Sequence, residues 1–224
     1  ERTLHRFPID HALAHELTEV MLSHGHAVLV LKDPDATGAP GELSGHDYLI
    51  VSPDGHGRID PVTRWWCDQH NLKVRVVSSL HLDEHPDHTV RVGICGPRDT
   101  TSRAADEIRE RFGQRIQMHL FGAVTPILGA GEKPGQVLIF EAFEKRVNKW
   151  TAIQWLAARH GIDESRIVAI GNDVNDIAML ENAGLSIAVA NAIPEALAAA
   201  DRKTLSHDEH GVAYAIERVL CGEW

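Results

Sequence analysis

The chain of 224 residues has 22 Lys and Arg against 32 Asp and Glu, a net charge of −10, and 43% of its residues are hydrophobic. This composition excludes a disordered, collagen-like or coiled-coil chain. The acidic balance argues against a nucleic-acid or anionic-membrane partner, and no apolar run reaches the roughly 18 residues that a membrane span needs.

The cysteines indicate a reducing environment. There are three of them, Cys67, Cys95 and Cys221, and none lies in a CxxC spacing. An odd number of widely separated cysteines favours neither a disulfide framework nor a zinc site. We therefore expect a cytoplasmic protein, whereas its oligomeric state has no signal in the sequence.

The first part of the chain alternates short β-like runs with helices. Residues 129–135, GAGEKPG, have the composition of a hairpin connection. Helices mixed with antiparallel strands predict an α+β unit. The patterns predict helices over 9–23, 61–70 and 101–111, and strands over 27–31, 48–51, 73–78, 89–94, 115–121 and 137–143.

The later part has a tighter pattern of elements with very short connections. Strand, helix, strand, helix in this rhythm predicts βαβ units in a doubly wound parallel sheet. The fold class is therefore α/β. The predicted elements are helices over 150–160, 175–182, 194–200 and 211–220 and strands over 166–171 and 185–190.

The loop after the strand at 166–171 concentrates polar side chains. It contains Asn172, Asp173, Asn175 and Asp176. Ligands of open parallel sheets bind at the carboxyl ends of strands, and oxygen donors at this density suit Mg²⁺. Since Asp and Asn also cap helices, the loop taken alone supports a cap as well as a ligand site.

Lys149 lies at the start of the preceding predicted helix, where it would project toward the same sheet edge. An ammonium group there supplies a point charge for a phosphate. The alternative is a solvated surface lysine beside Lys145 and Arg146. The combination of lysine and polar loop favours the phosphate interpretation.

Several motifs occur together in a fixed order between residues 147 and 220. They are Asn148-Lys149, RIVAIGNDVNDIAML at 166–180, Ala-Gly at 183–184, IAVANA at 187–192 and HGVA at 210–213. This region resembles the C-terminal half of a haloacid-dehalogenase-superfamily phosphatase of the Cof type. The resemblance implies a Rossmann-like doubly wound core, of which 144–224 is the C-terminal part. It also implies an inserted α+β cap domain, which 1–143 matches in length and texture.

The resemblance assigns roles to the site residues. It makes Lys149 the catalytic lysine that holds the substrate phosphate, Asn175 a phosphate contact, and Asp176 a catalytic acidic residue beside the metal. Asn172, Asp173 and Asp176 are the implied Mg²⁺ ligands. The family usually has Asp at the position of Asn172, so we expect weaker Mg²⁺ binding unless Asp173 compensates.

The implied reaction is Mg²⁺-dependent hydrolysis of a small soluble phosphate ester, possibly a sugar phosphate, through an aspartyl-phosphate intermediate. The family's nucleophile is the first Asp of an Asp-x-Asp-x-Thr motif, which only residues 33–37 fit. Residues 49–52 could mimic the family's second motif, which ends a parallel strand. Only residues 38–51 separate Thr37 from Ser52, and this Gly- and Pro-containing stretch is too short and irregular for a parallel crossover. We therefore expect the nucleophile upstream of residue 1, in a native protein that begins about 60–80 residues earlier.

Three further interpretations follow from the sequence. A non-catalytic binding protein of the same fold is the alternative to an enzyme. The histidine-rich stretch 81–88 could bind a metal, but its spacing matches no zinc motif and Pro86 interrupts a helix, so a polar loop is favoured. Trp65 and Trp66 are expected to pack in the core, and the alternative is that one of the two rings faces a substrate from the cap.

Overall fold

The chain folds into two compact units in the computed structural model, which describes residues 3–33, 46–52, 59–123 and 136–224. The units are Glu1–Arg146 and Val147–Trp224. The boundary between them lies three residues beyond the boundary that the sequence predicts between residues 143 and 144. The assignment of the units as cap and core stays a prediction.

The described residues of the first unit form one six-stranded sheet and three α-helices. The strand order is β3-β2-β1-β4-β6-β5, in which β2 and β3 are parallel and every other neighbouring pair is antiparallel. This is the α+β arrangement that the sequence predicts. The strands are β1 Val28–Lys32, β2 Tyr48–Val51, β3 Val74–Val77, β4 Thr89–Pro97, β5 Ile116–Gly122 and β6 Val137–Glu144, and the helices are α1 His11–Ser23, α2 Pro61–Gln69 and α3 Arg98–Phe112.

The core of this unit lies between one sheet face and the helices α1 and α3. Val28 and Val30 of β1 point into it, together with Leu17 of α1 and Ile108 of α3, and all four are fully buried. Side chains alternate between faces along a strand. Leu29, between the two valines, therefore faces the other side of the sheet.

Helix α2 adds nothing to this core, so the prediction for the tryptophan pair is wrong. Thr63 is the one buried residue of α2, while Trp66 is 38% exposed and Trp65 is partly exposed. An aromatic pair in a helix signals burial on average. Here α2 stands over a cavity, as described below, and the two indole rings line it.

The histidine-rich stretch is a polar loop built around a buried lysine. It forms two 3-10 turns, Leu80–Leu82 and Pro86–His88. The Lys32 ammonium donates to Asp83 Oδ2 at 2.5 Å, to the His85 carbonyl at 2.8 Å and to Thr89 Oγ1 at 2.8 Å. In the described part of the chain, no group of three or more His, Cys, Asp or Glu side chains could hold a metal ion.

Asp33, which we predicted not to be the nucleophile, directly follows strand β1. Strands β1 and β2 are antiparallel neighbours, so no parallel crossover joins them. The Asp33 carboxylate accepts from Thr3 Oγ1 at 2.9 Å and pairs with the Arg6 guanidinium at 2.8 Å. Residues 34–37, and the hairpin connection predicted at 129–135, lie outside the described residues.

The second unit contains a parallel sheet in the order β7-β8-β9. Its core gathers Trp150, Ala169, Leu180 and Ala196. The parallel βαβ pattern predicted from sequence is confirmed, although the two-residue strand β9 was not predicted. The strands are β7 Val168–Gly171, β8 Leu185–Ala188 and β9 Arg202–Lys203, and the helices are α4 Lys149–Arg159, α5 Ile177–Asn182, α6 Pro194–Ala199 and α7 Gly211–Leu220. None of the helices described in either unit combines the length and apolar character that crossing a membrane requires.

Candidate functional site

The polar loop of the second unit leaves β7 through a tight turn. The helix predicted from Asn175 starts instead with a 3-10 turn, Val174–Asp176, before α5. At Gly171, the last residue of β7, an added Cβ atom would lie 2.6 Å from Cβ of Asp176. The loop therefore folds back so closely on its own strand that only glycine fits there.

The Asp176 carboxylate organises this turn. Its side chain is 4% exposed, and Oδ2 accepts from the backbone N–H groups of Asn172 at 2.8 Å and Asp173 at 3.2 Å. Asp173 reciprocates as the N-cap of the 3-10 turn, its Oδ1 accepting from the Val174 N–H at 2.7 Å. The two carboxylates form a capping box, which satisfies backbone donors that the turn would otherwise leave unpaired.

Lys149 meets the loop through Asp176. Its ammonium donates to Asp176 Oδ1 at 2.5 Å, and its side chain is 49% exposed. The position of Lys149 follows from the cap of α4, where Asn148 Oδ1 accepts from the Thr151 N–H at 2.9 Å. The sequence therefore predicted correctly that the lysine projects toward this loop.

The contacts of Asp176 determine whether its carboxyl group is ionised. Burial by itself would raise the pKa of Asp176. The hydrogen bonds from Lys149 and from the backbone of Asn172 and Asp173 outweigh burial, so the pKa lies below its ordinary value. Asp176 therefore stays ionised at neutral pH and fixes the lysine ammonium beside the loop.

The other predicted residues face solvent. Asn172, Asp173 and Asn175 are exposed, and within the described residues the side chains of Asn172 and Asn175 make no hydrogen bond. Asn175 lies in the same turn but does not contact Lys149 through a hydrogen bond. The turn thus presents two amides and one carboxylate to solvent beside the Lys149–Asp176 pair.

The three predicted Mg²⁺ ligands differ in how accessible their side-chain oxygens are. Their donors are oxygens, as a hard cation prefers. Both oxygens of Asp176 already accept hydrogen bonds, from Lys149 on one side and from backbone on the other. Asn172 and Asp173 have exposed oxygens, so the accessible set offers one carboxylate and one amide.

The loop after β8 lies at the same sheet edge, although the sequence pattern predicted no site residue in it. The Ile193 N–H donates to the carbonyl of Asn172 at 2.9 Å, which ties the two loops together. Asn191 Oδ1 accepts from the His207 N–H at 3.1 Å. The signal was available, because carboxyl ends of neighbouring parallel strands share one edge and the motif at 187–192 ends there.

Comparison with known proteins identifies a family for the chain. The family profile described as haloacid dehalogenase-like hydrolase matches residues 2–216. The putative phosphatase YxeH of Bacillus subtilis (strain 168) is 42% identical over 81 residues, which are 36% of this chain and 30% of that protein. The 5-amino-6-(5-phospho-D-ribitylamino)uracil phosphatase YitU of the same strain is 25% identical over 159 residues, 64% of this chain and 58% of that protein.

A solved structure supports the fold. A haloacid dehalogenase-like hydrolase from Bacteroides thetaiotaomicron superimposes with a TM-score of 0.69 at 20% identity, covering 96% of this chain and 69% of that one. At this identity the likeness concerns the fold. The chain spans between about a third and three fifths of the length of the two curated relatives.

Proposed function

Since the chain belongs to the haloacid dehalogenase-like hydrolases, we propose that it forms part of a phosphomonoesterase that acts on a small soluble phosphate ester. The observation that carries the proposal is the Lys149 ammonium, held by Asp176 at the carboxyl end of β7 with 49% of the side chain exposed. Residues 144–224 would be the C-terminal part of the catalytic core and residues 1–143 its cap.

Lys149 would bind the phosphoryl group. An ammonium has three N–H donors, and Asp176 takes one of them in the described residues. The other two can donate to phosphate oxygens, where negative charge is spread in the transition state. A fixed cation at that point stabilises the transition state without reorganisation during the reaction.

Asp176 would act as the residue that positions Lys149. Its carboxylate is buried and ionised, and two backbone N–H groups fix its orientation. The lysine side chain is long and flexible, so the carboxylate restricts where its ammonium can lie. Asn175, exposed in the same turn, would donate an amide N–H to the substrate phosphate.

Mg²⁺, when bound, would neutralise phosphate charge at this sheet edge. Asn172 and Asp173 would hold it through their exposed oxygens, whereas Asp176, the third predicted ligand, would first have to give up a hydrogen bond. One carboxylate and one amide are within the range that Mg²⁺ uses, since the ion usually keeps several waters and binds substrate phosphate.

The aspartyl-phosphate route that the family implies needs a carboxylate nucleophile. The aspartate would attack phosphorus, the alcohol of the ester would leave, and water would release phosphate. We do not assign this role to Asp33, whose carboxylate is paired with Arg6 and Thr3.

The substrate class is proposed from the relatives. YitU is named for a phosphate ester on a ribityl chain, which supports a sugar or polyol phosphate. Three free cysteines support a cytoplasmic location.

The test is phosphate release by the full-length protein from a panel of sugar and polyol phosphates with Mg²⁺. Lys149→Ala should lower kcat by about 100-fold or more, the effect of removing one donor that stabilises transition-state charge. Lys145→Ala is the matched control. Lys145 is also exposed, but it lies in the first unit and donates to the Gly113 carbonyl of that same unit. Equal losses in both variants, or none in either, would refute the site.

The alternative of a non-catalytic binding protein has one observation in its favour, the neutral Asn172 at a position where the family usually has a carboxylate. It predicts that the full-length protein binds a phosphate ester in a Lys149-dependent way and releases no phosphate. The same panel, followed by calorimetry, separates the two functions.

A further inference from the structure

A cavity lies between α2 and the face of the six-stranded sheet that α1 and α3 leave uncovered. It is lined by Leu29, Tyr48, Trp65, Trp66, Phe121 and Ile139, among others, all within the first unit. We propose that this α2 cavity is a binding site for a small uncharged molecule with a planar aromatic or heteroaromatic ring. The proposal does not depend on the phosphatase function.

The size of the cavity suits a ring. Its volume is about 250 Å³. An apolar cavity of roughly 150 Å³ holds benzene, so this one has room for a substituted ring or for two fused rings. Gly93 leaves part of its wall without a side chain, and a Cβ atom there would lie 2.5 Å from the Phe140 carbonyl oxygen.

The aromatic walls favour a planar ligand. The rings of Tyr48 and Trp66 are 5.8 Å apart and nearly perpendicular, at 87°. Trp66 keeps 38% of its surface exposed although it sits over an apolar cavity. Aromatic rings prefer offset-stacked or edge-to-face partners, so a third ring entering this corner would cover indole surface that solvent now contacts.

The charged groups of the wall neutralise each other. Arg91 donates through Nη1 to Glu141 and through Nη2 to the Tyr48 hydroxyl. Both charged side chains are largely buried, with 22% and 14% exposed. A charged ligand would lose hydration without finding an unpaired opposite charge among the described lining residues, whereas an uncharged polar edge can bond to the remaining Arg91 donors.

Two thiols complete the apolar lining. Burial raises the pKa of Cys67, and it raises the pKa of Cys95 to about 11. Both groups are therefore protonated at neutral pH and behave as small apolar side chains. The described lining residues then carry no net charge, since Arg91 and Glu141 are the two charged side chains among them.

The experiment compares four probes of nearly the same size on the intact chain. Benzamide is planar and neutral, benzoate is its anionic counterpart, benzamidinium is its cationic counterpart, and cyclohexanecarboxamide is neutral but not planar. Ligand-observed NMR titration measures each affinity. We expect benzamide to saturate with a dissociation constant on the order of 1 mM and the other three to bind at least about tenfold more weakly.

Two variants locate the binding. Trp66→Ala removes a wall and should weaken benzamide by roughly fivefold to tenfold, while Ile139→Trp fills the space and should abolish saturation. Trp155→Ala in α4 is the matched control for loss of a partly exposed indole, and it should bind benzamide as the parent does. Circular dichroism checks that each variant is folded.

The result expected is therefore a preference for benzamide that Trp66→Ala and Ile139→Trp reduce and Trp155→Ala does not. Absence of saturable benzamide binding overturns the proposal. So does binding of benzoate or benzamidinium equal to that of benzamide, or benzamide binding that a folded Ile139→Trp variant retains.

Discussion

Replacing Asp176 by Asn tests whether one buried carboxylate holds the site together. An Asn side chain has the same shape but a single acceptor oxygen. That oxygen can replace Oδ2 beneath the N–H groups of Asn172 and Asp173, and the amide NH₂ then faces the Lys149 ammonium. Two charge-assisted hydrogen bonds become neutral, and the ion pair is lost.

The cost follows from these contacts. A hydrogen bond to a charged group contributes about 1.5–3 kcal/mol and a neutral one about 0.5–1.5, so two weakened bonds cost roughly 2 kcal/mol. Lys149 is 49% exposed and can turn to solvent, so its ion pair adds at most about 1 kcal/mol. Together these losses lower the free energy of local opening of the loop by about 2–3 kcal/mol.

Amide hydrogen exchange at Asn172 and Asp173 measures this loss at the bonds themselves. A change of 2–3 kcal/mol predicts exchange roughly 30-fold to 150-fold faster. Asp208→Asn, which alters an exposed carboxylate in the same unit, should leave these two amides unchanged. If Asp176→Asn exchanges like the parent, the carboxylate does not stabilise the loop and its proposed positioning role fails.

Three other substitutions have expected outcomes that measurements can check. Asn172→Asp should tighten Mg²⁺ binding measured by calorimetry, and an unchanged titration would show that residue 172 is not a ligand. Lys32→Met should cost the first unit about 3–5 kcal/mol in urea unfolding because it leaves the buried Asp83 carboxylate without its cation, and Asp83→Asn in the same chain should recover part of it. Burial lowers the pKa of His26. Below about pH 6.5 the unfolded chain therefore binds a proton at this residue more readily than the folded chain does, and the free energy of unfolding decreases as the pH is lowered. Burial lowers the pKa of His15 and His88 as well, so His26→Gln should remove part of that decline between pH 7 and 5. A slope equal to the parent's would exclude a contribution from His26.

Local signals predicted the second unit well. The strand and loop at 166–176 combine an apolar run, a glycine and a cluster of Asp and Asn within a few residues, so their positions follow from sequence alone. The same signals could not show which atoms Asp176 contacts. Its partners include backbone N–H groups of its own loop, and such bonds depend on a turn that places Oδ2 within 2.8 Å of the Asn172 nitrogen.

In the first unit, the alternation of side chains along a strand predicts the two faces of the sheet but not how each face is covered. Alternation along β1 separates Val28 and Val30 from Leu29 and so defines two faces. It does not say which helices cover each face. Helices α1 and α3 cover one face of the six-stranded sheet, and α2 covers only part of the other face. Trp66 therefore lies over a cavity, although tryptophan side chains are usually buried in a core.

The contacts of Asp176 also explain why Asn172 is compatible with this loop. Residue 172 joins the loop through its backbone, donating its N–H to Asp176 and accepting from the Ile193 N–H through its carbonyl. Its side chain is exposed and plays no part in these bonds. The Asn172 side chain therefore places no negative charge on the solvent-facing side of the turn, and the turn with its Lys149–Asp176 contact does not depend on that side chain. In the proposed site the Asn172 side chain would contribute to metal affinity, whereas its backbone atoms hold the loop, so Asn172→Asp should tighten Mg²⁺ binding and leave exchange at the Asn175 and Asp176 amides as it is.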